Sequence, residues 1–123
     1  MSSAPSQSTP RAGNLLADLP SDLSAEVFEK ILTRGAIRIE RIVSRGHTSP
    51  AEGWWDQDED EWVLVLQGGG TLLFTDGRET TLRAGDHLFI PAHERHKVIW
   101  TEPEQETIWL AVFWPKKSVR RRT

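Results

Sequence analysis

The sequence predicts an all-β domain, a sandwich or barrel of short strands, on three observations. From Ala36 onward helical periodicity gives way to short β-rich runs. Turn signals separate those runs: Gly68-Gly69-Gly70, Asp76-Gly77 and Ala84-Gly85-Asp86. In two of the runs a polar residue shares its face with aliphatic ones, as a strand with one side turned to an interior requires. At 123 residues the chain can close one hydrophobic core.

In chain order, residues 1–14 (MSSAPSQSTPRAGN) hold four Ser and two Pro with almost no large apolar group, so they read as a disordered tail. Residues 15–35 read as a short helical lead-in. Leu23, Val27 and Ile31 recur four apart, Phe28 and Leu32 sit beside them, and Gly35 follows where a helix C-cap is common. Residues 36–115 form the β domain, with strands expected at 37–43, 61–67, 71–75, 78–83, 87–90, 96–101 and 107–114. Asp76-Gly77 predicts a tight hairpin between the third and fourth of these. The run 107–114 is apolar on both faces, with Ile108, Leu110, Val112 and Trp114 on one and Trp109, Ala111 and Phe113 on the other. It is therefore expected to be covered twice, by the interior and by the helix or a second subunit. Residues 116–123 form a basic tail.

Net charge is −3, and the five basic residues Lys116, Lys117, Arg120, Arg121 and Arg122 leave about −8 for the rest, which disfavours nucleic-acid binding by the folded body. There is no Cys, so no disulfide framework, thiolate metal site or cysteine nucleophile is available. No secretory leader or membrane-spanning run is visible, and a cytoplasmic location is expected.

The chemistry is expected at Glu61 and His96. Each opens a strand and shares its parity with apolar residues: Glu61 with Val63 and Val65, His96 with Val98 and Trp100. A carboxylate and an imidazole converging on an apolar interior are candidate ligands for a hard-to-borderline metal; the alternative is a hydrogen-bonded polar cluster. Gln57 has the parity to join them if the strand extends backward. Asp56 could replace it at a bulge, and His93 could swing in as a further ligand.

The segments Glu61-Trp-Val-Leu-Val-Leu-Gln-Gly68 and Gly85-Asp-His-Leu-Phe-Ile-Pro91-Ala-His-Glu-Arg-His96 resemble the two motifs of the cupin superfamily, G-x5-H-x-H-x3–4-E-x6-G and G-x5-P-x-G-x2-H-x3-N. The resemblance implies a cupin-type jelly-roll β-barrel, a homodimer, and a divalent transition metal (Fe, Mn, Ni or Zn) held by the matched positions Glu61 and His96. The family's histidine pair in the first motif is absent, its places falling on Trp55 and Gln57 or on Trp54 and Asp56. His93 stands where the second motif has Gly, and Trp100 where it has Asn. Two functions follow. One is a metal-dependent enzyme of dioxygenase, isomerase or lyase type, acting on a small molecule in a pocket walled by Trp54, Trp55 and Trp100. The other is a non-catalytic binding or sensor cupin with a degenerate metal site.

Overall fold

A computed structural model describes residues 9–116. They form eight strands and no helix: β1 Val27–Arg34, β2 Ile37–Ser44, β3 Glu59–Gln67, β4 Gly69–Phe74, β5 Glu79–Arg83, β6 His87–Ile90, β7 His96–Thr101 and β8 Thr107–Pro115. A five-stranded sheet has the order β1-β2-β8-β3-β6 and a three-stranded sheet the order β5-β4-β7. Every pairing is antiparallel. The strands pair in two separate ladders, joined outside them only by a bridge between Trp55 and His96 among the described residues, so the expected barrel is a two-sheet sandwich. Residues 1–8 of the expected leader tail and residues 117–123 of the expected basic tail lie outside the described residues.

The expected helix of the lead-in is instead β1. Val27 pairs with Val43 and Arg34 with Ile37, which leaves Gly35-Ala36 as a two-residue hairpin turn. Gly35 has φ +57°, the conformation wanted at the first position of such a turn. The glycine that suits a helix end thus suits a hairpin equally well. Two further forces favour the strand: Val27, Ile31 and Thr33 are β-branched, and the free edge of β2 offers a ladder of unpaired backbone groups. A bulge in β1 near Ile31 breaks its alternation, which left a period resembling that of a helix.

The core lies between the sheets, where Val63, Val65, Leu72, Phe74, Trp109 and Phe113 are buried. Full burial of such a side chain contributes about 1.5–3 kcal/mol each. β8, central in the large sheet, is apolar on both faces as expected. Its outer Ile108 is fully buried, whereas Leu110, Val112 and Trp114 remain half-buried, with Phe89 stacked on Trp114. On the same outer face Arg41 is buried and donates to the carbonyls of Leu15, Ala17 and Asp18. It ties the chain ahead of β1 to the sheet. The hairpin predicted at Asp76-Gly77 joins β4 to β5, with the Gly77 N–H donating to the Phe74 carbonyl.

Candidate functional site

A cavity of about 310 Å³ opens between the sheets and is lined largely by apolar side chains, among them Ile42, Val63, Leu72, Val98, Trp109 and Phe113. Glu61 and His96 meet in its wall. β3 carries Glu61 in register with Phe113 of β8, and β7 carries His96 opposite Phe74 of β4, so one comes from each sheet. Both are buried, at 8% and 5% exposure, and His96 Nε2 lies 4.0 Å from Glu61 Oε1. His96 Nδ1 donates to the Glu94 carbonyl at 2.9 Å. In the neutral ring this leaves the lone pair on Nε2, which makes no hydrogen bond among the described residues.

The residues just before β3 alternate as a strand would, because the Trp55 and His96 backbones exchange both hydrogen bonds and the His93 N–H donates to the Gln57 carbonyl. Gln57 consequently turns inward and its amide donates to Glu61 Oε1 at 2.8 Å. Trp55 also lines the cavity at its mouth, half exposed. Asp56 turns the other way, where its carboxylate accepts from His93 Nδ1 at 2.9 Å and from Arg95 Nε at 3.1 Å. The structure brings Gln57, Glu61 and His96 together and puts Asp56 and His93 in a separate, exposed pair. His93 has φ +66°, a left-handed conformation that explains a Gly at the corresponding place in the motif.

Two expected pocket residues lie outside the cavity lining. Trp54 is on the surface, with Lys97 Nζ 4.4 Å above its ring. Trp100 sits opposite Thr71 while Val98 sits opposite Leu72, so Ile99 is an extra residue in β7 and the strand changes parity there. That bulge carries Trp100 to the outer face, where the Arg83 guanidinium lies 5.5 Å from its ring.

Sequence reasoning missed two polar groups that border the cavity. At one end Arg38, on β2, donates through Nε to Glu40 at 2.7 Å and through Nη1 to both Glu59 oxygens at 2.8 Å, and lies 4.1 Å over the Phe113 ring. At the other, the Ser44 hydroxyl donates to Glu26 and accepts from Trp109 Nε1 at 3.2 Å. A β-carbon on Gly70 would overlap the Trp109 ring, so the indole rests directly on the β4 backbone and forms the floor. The signal for the first group was the alternation Ile37-Arg38-Ile39-Glu40. Its obvious reading puts the isoleucines inside, but Arg38 and Glu40 are the inward pair at this open end.

Burial raises the Glu61 carboxyl above the ordinary glutamate value. The Gln57 hydrogen bond and His96 oppose that rise, Glu40 adds to it, and Arg38 opposes it. Asp56 moves the opposite way, lowered by its hydrogen bonds to His93 and Arg95. The donor set does not complete a metal site of the three-ligand kind. Among the described residues no group of three or more His, Cys, Asp or Glu surrounds one position. Gln57 offers Glu61 an N–H rather than an oxygen. Two metal bonds of about 2.1 Å would have to open well beyond a tetrahedral angle to span the 4.0 Å between His96 and Glu61.

The family model described as a cupin domain matches residues 41–113. Among solved structures, a Ralstonia eutropha JMP134 protein provisionally named a mannose-6-phosphate isomerase is 41% identical, with a TM-score of 0.82, covering 86% of this chain and 99% of its own. An RmlC-like cupin protein from Desulfovibrio desulfuricans is 18% identical, with a TM-score of 0.72 and coverage of 89% and 100%. The TT1209 protein from Thermus thermophilus is 16% identical, with a TM-score of 0.71 and coverage of 86% and 98%. The last two speak for the fold alone. No curated protein matches the sequence.

Proposed function

We propose that this chain, which belongs to the cupin family, binds a small molecule between its sheets and engages the polar end of that molecule through Glu61 and His96. The observation that carries the reading is the pairing of a buried carboxyl with a buried imidazole, whose Nε2 makes no hydrogen bond among the described residues, in the wall of a largely apolar cavity of about 310 Å³. Apolar walls with a few convergent polar groups are what small-molecule sites are made of. His96 can accept a proton at Nε2. Glu61, its acidity weakened by burial, can hold or release one, and Gln57 fixes the carboxyl's orientation. Proton transfer of an isomerase or lyase type is the reaction class these groups suit, and the Ralstonia relative's provisional name agrees with the former.

The test is fragment binding to uniformly 15N-labelled protein, read at the indole N–H signals of Trp55 and Trp109. Ligands that perturb both signals in the wild type and lose affinity in Val98→Phe, which narrows the cavity, support the reading. Ligands that bind without moving either signal contradict it.

A second reading, a divalent metal (Fe, Mn, Ni or Zn) held by Glu61 and His96 in a metal-dependent enzyme, is favoured by one observation, the unpaired Nε2 on a ring oriented through Nδ1. Near-stoichiometric metal in protein purified without chelator, lost in His96→Ala, would establish it. A second copy of the chain is the proposed cover for the half-buried outer residues Leu110, Val112 and Trp114; light scattering of the purified protein gives the mass that decides this.

A further inference from the structure

We propose that the cavity selects a small cation with an apolar body, an amine, over anions such as a sugar phosphate. The inference rests on the reading of the cavity as a ligand site and names the ligand's class. Three carboxyl groups border the space, Glu26, Glu40 and Glu61, against one guanidinium, Arg38. That guanidinium is already committed. It donates to Glu40 and to both oxygens of Glu59, and its face is occupied by the Phe113 ring. One positive charge therefore serves two carboxylates before any ligand arrives. Lys30 lies opposite Glu40 in the β1–β2 ladder, but it is exposed and outside the lining. An entering phosphate or carboxylate would find no uncommitted guanidinium or ammonium, only the His96 imidazole, and would face Glu61 and Glu26, so its desolvation would be poorly compensated.

For a cation the same features become attractive. Trp55 and Phe28 stand half exposed at the rim and Trp109 closes the floor, so aromatic rings line the way in. Aromatic rings attract ammonium groups over their faces, more strongly as water is excluded. Independently of the charge count, His96 is 5% exposed and its Nε2, 4.0 Å from Glu61, makes no hydrogen bond among the described residues, which leaves an acceptor in the cavity wall for a ligand N–H. An ammonium beside Glu61 would supply the counter-charge that the buried carboxylate lacks.

The experiment uses the full chain, stripped of metal with chelator, and measures affinity by calorimetry for probes of matched shape: phenethylamine, 2-phenylethanol and phenylacetate, with mannose 6-phosphate beside them. The amine should bind at least about tenfold tighter than the alcohol, the loss expected when a charge-assisted hydrogen bond is missing, and neither anion should bind measurably. Glu61→Gln, which keeps the shape of the side chain, should bring the amine down to the level of the alcohol. Thermal unfolding of the variant confirms that it is folded. Phenylacetate or mannose 6-phosphate binding as tightly as the amine overturns the proposal, as does an amine advantage that survives Glu61→Gln. Binding of the alcohol or an anion as tightly as the amine, and sensitive to Val98→Phe, would sink the cation preference and leave the ligand-cavity reading standing. If no probe binds, or none responds to Val98→Phe, both fall.

Discussion

Two acid–imidazole pairs lie a few residues apart in this chain and behave oppositely. Asp56 and His93 meet on the surface at 2.9 Å, with Arg95 alongside; Glu61 and His96 meet inside at 4.0 Å, with Gln57 alongside. The outer pair is closer, yet the inner one matters more. Hydrogen bonds from His93 and from the Arg95 guanidinium stabilise the Asp56 charge and lower its pKa, which makes a surface ion pair. Burial destabilises the Glu61 charge and raises its pKa, which leaves a carboxyl and an imidazole able to exchange protons or meet a charged ligand. Residue type is alike in the two pairs. Environment separates them, and that environment is set by one alternation of the strand entering β3.

Ligand binding should separate the pairs most widely. Glu61→Ala and His96→Ala should each weaken a cavity ligand by about tenfold or more, since each removes a buried polar partner. Asp56→Ala and His93→Ala should leave its affinity unchanged in the same titration. Equal losses at both pairs would break the comparison.

Stability against pH should separate them in sign. Because the folded pKa of Glu61 is raised, the native state holds its proton more tightly than the unfolded chain. Stability is therefore lost as pH rises from 4.5, the ordinary value, through the folded pKa. Asp56 is lowered, so its contribution is present above 3.8 and lost as pH falls through its folded pKa. Glu61→Gln should accordingly unfold at a higher temperature than wild type at neutral pH, with the difference shrinking toward pH 4.5. Asp56→Asn should show no gain at neutral pH. Scanning calorimetry across pH 4 to 8 checks both.

The tryptophans sharpen the comparison more modestly. Trp55→Leu should weaken an aromatic or cationic ligand several-fold, whereas Trp100→Leu, outside the cavity, should not. The smallest effect is expected at His93→Gly. It removes an exposed ion pair but relieves a side chain held at φ +66°, so the unfolding midpoint should move little, while the same change at His96 should lower it clearly.

Much of this was legible in the chain. Parity placed Glu61, Val63 and Val65 inward and identified His96 as their counterpart, and the four-residue step back from Glu61 found Gln57. What escaped depended on pairings distant in sequence. Trp100 shares parity with His96, and only the bulge at Ile99, a product of how β7 meets β4, turns it outward. Residues 21–33 carry a helix-like period, but the edge of β2 claims Val27–Arg34 as a strand. Arg38 and Glu40 alternate with isoleucines in a pattern that satisfies either orientation, and their side was decided by the row they share with Phe113 and Ala111 of β8. Local pattern finds the strands; register and bulges decide what faces the cavity.

The central claim, that burial keeps Glu61 poised in a ligand cavity, is tested most directly by the titration of its side-chain carboxyl carbon in 13C NMR, with and without phenethylamine. A midpoint above 4.5 in the free protein that falls when the amine binds is the predicted result. A free-protein midpoint at or below 4.5, unmoved by the amine, would contradict it.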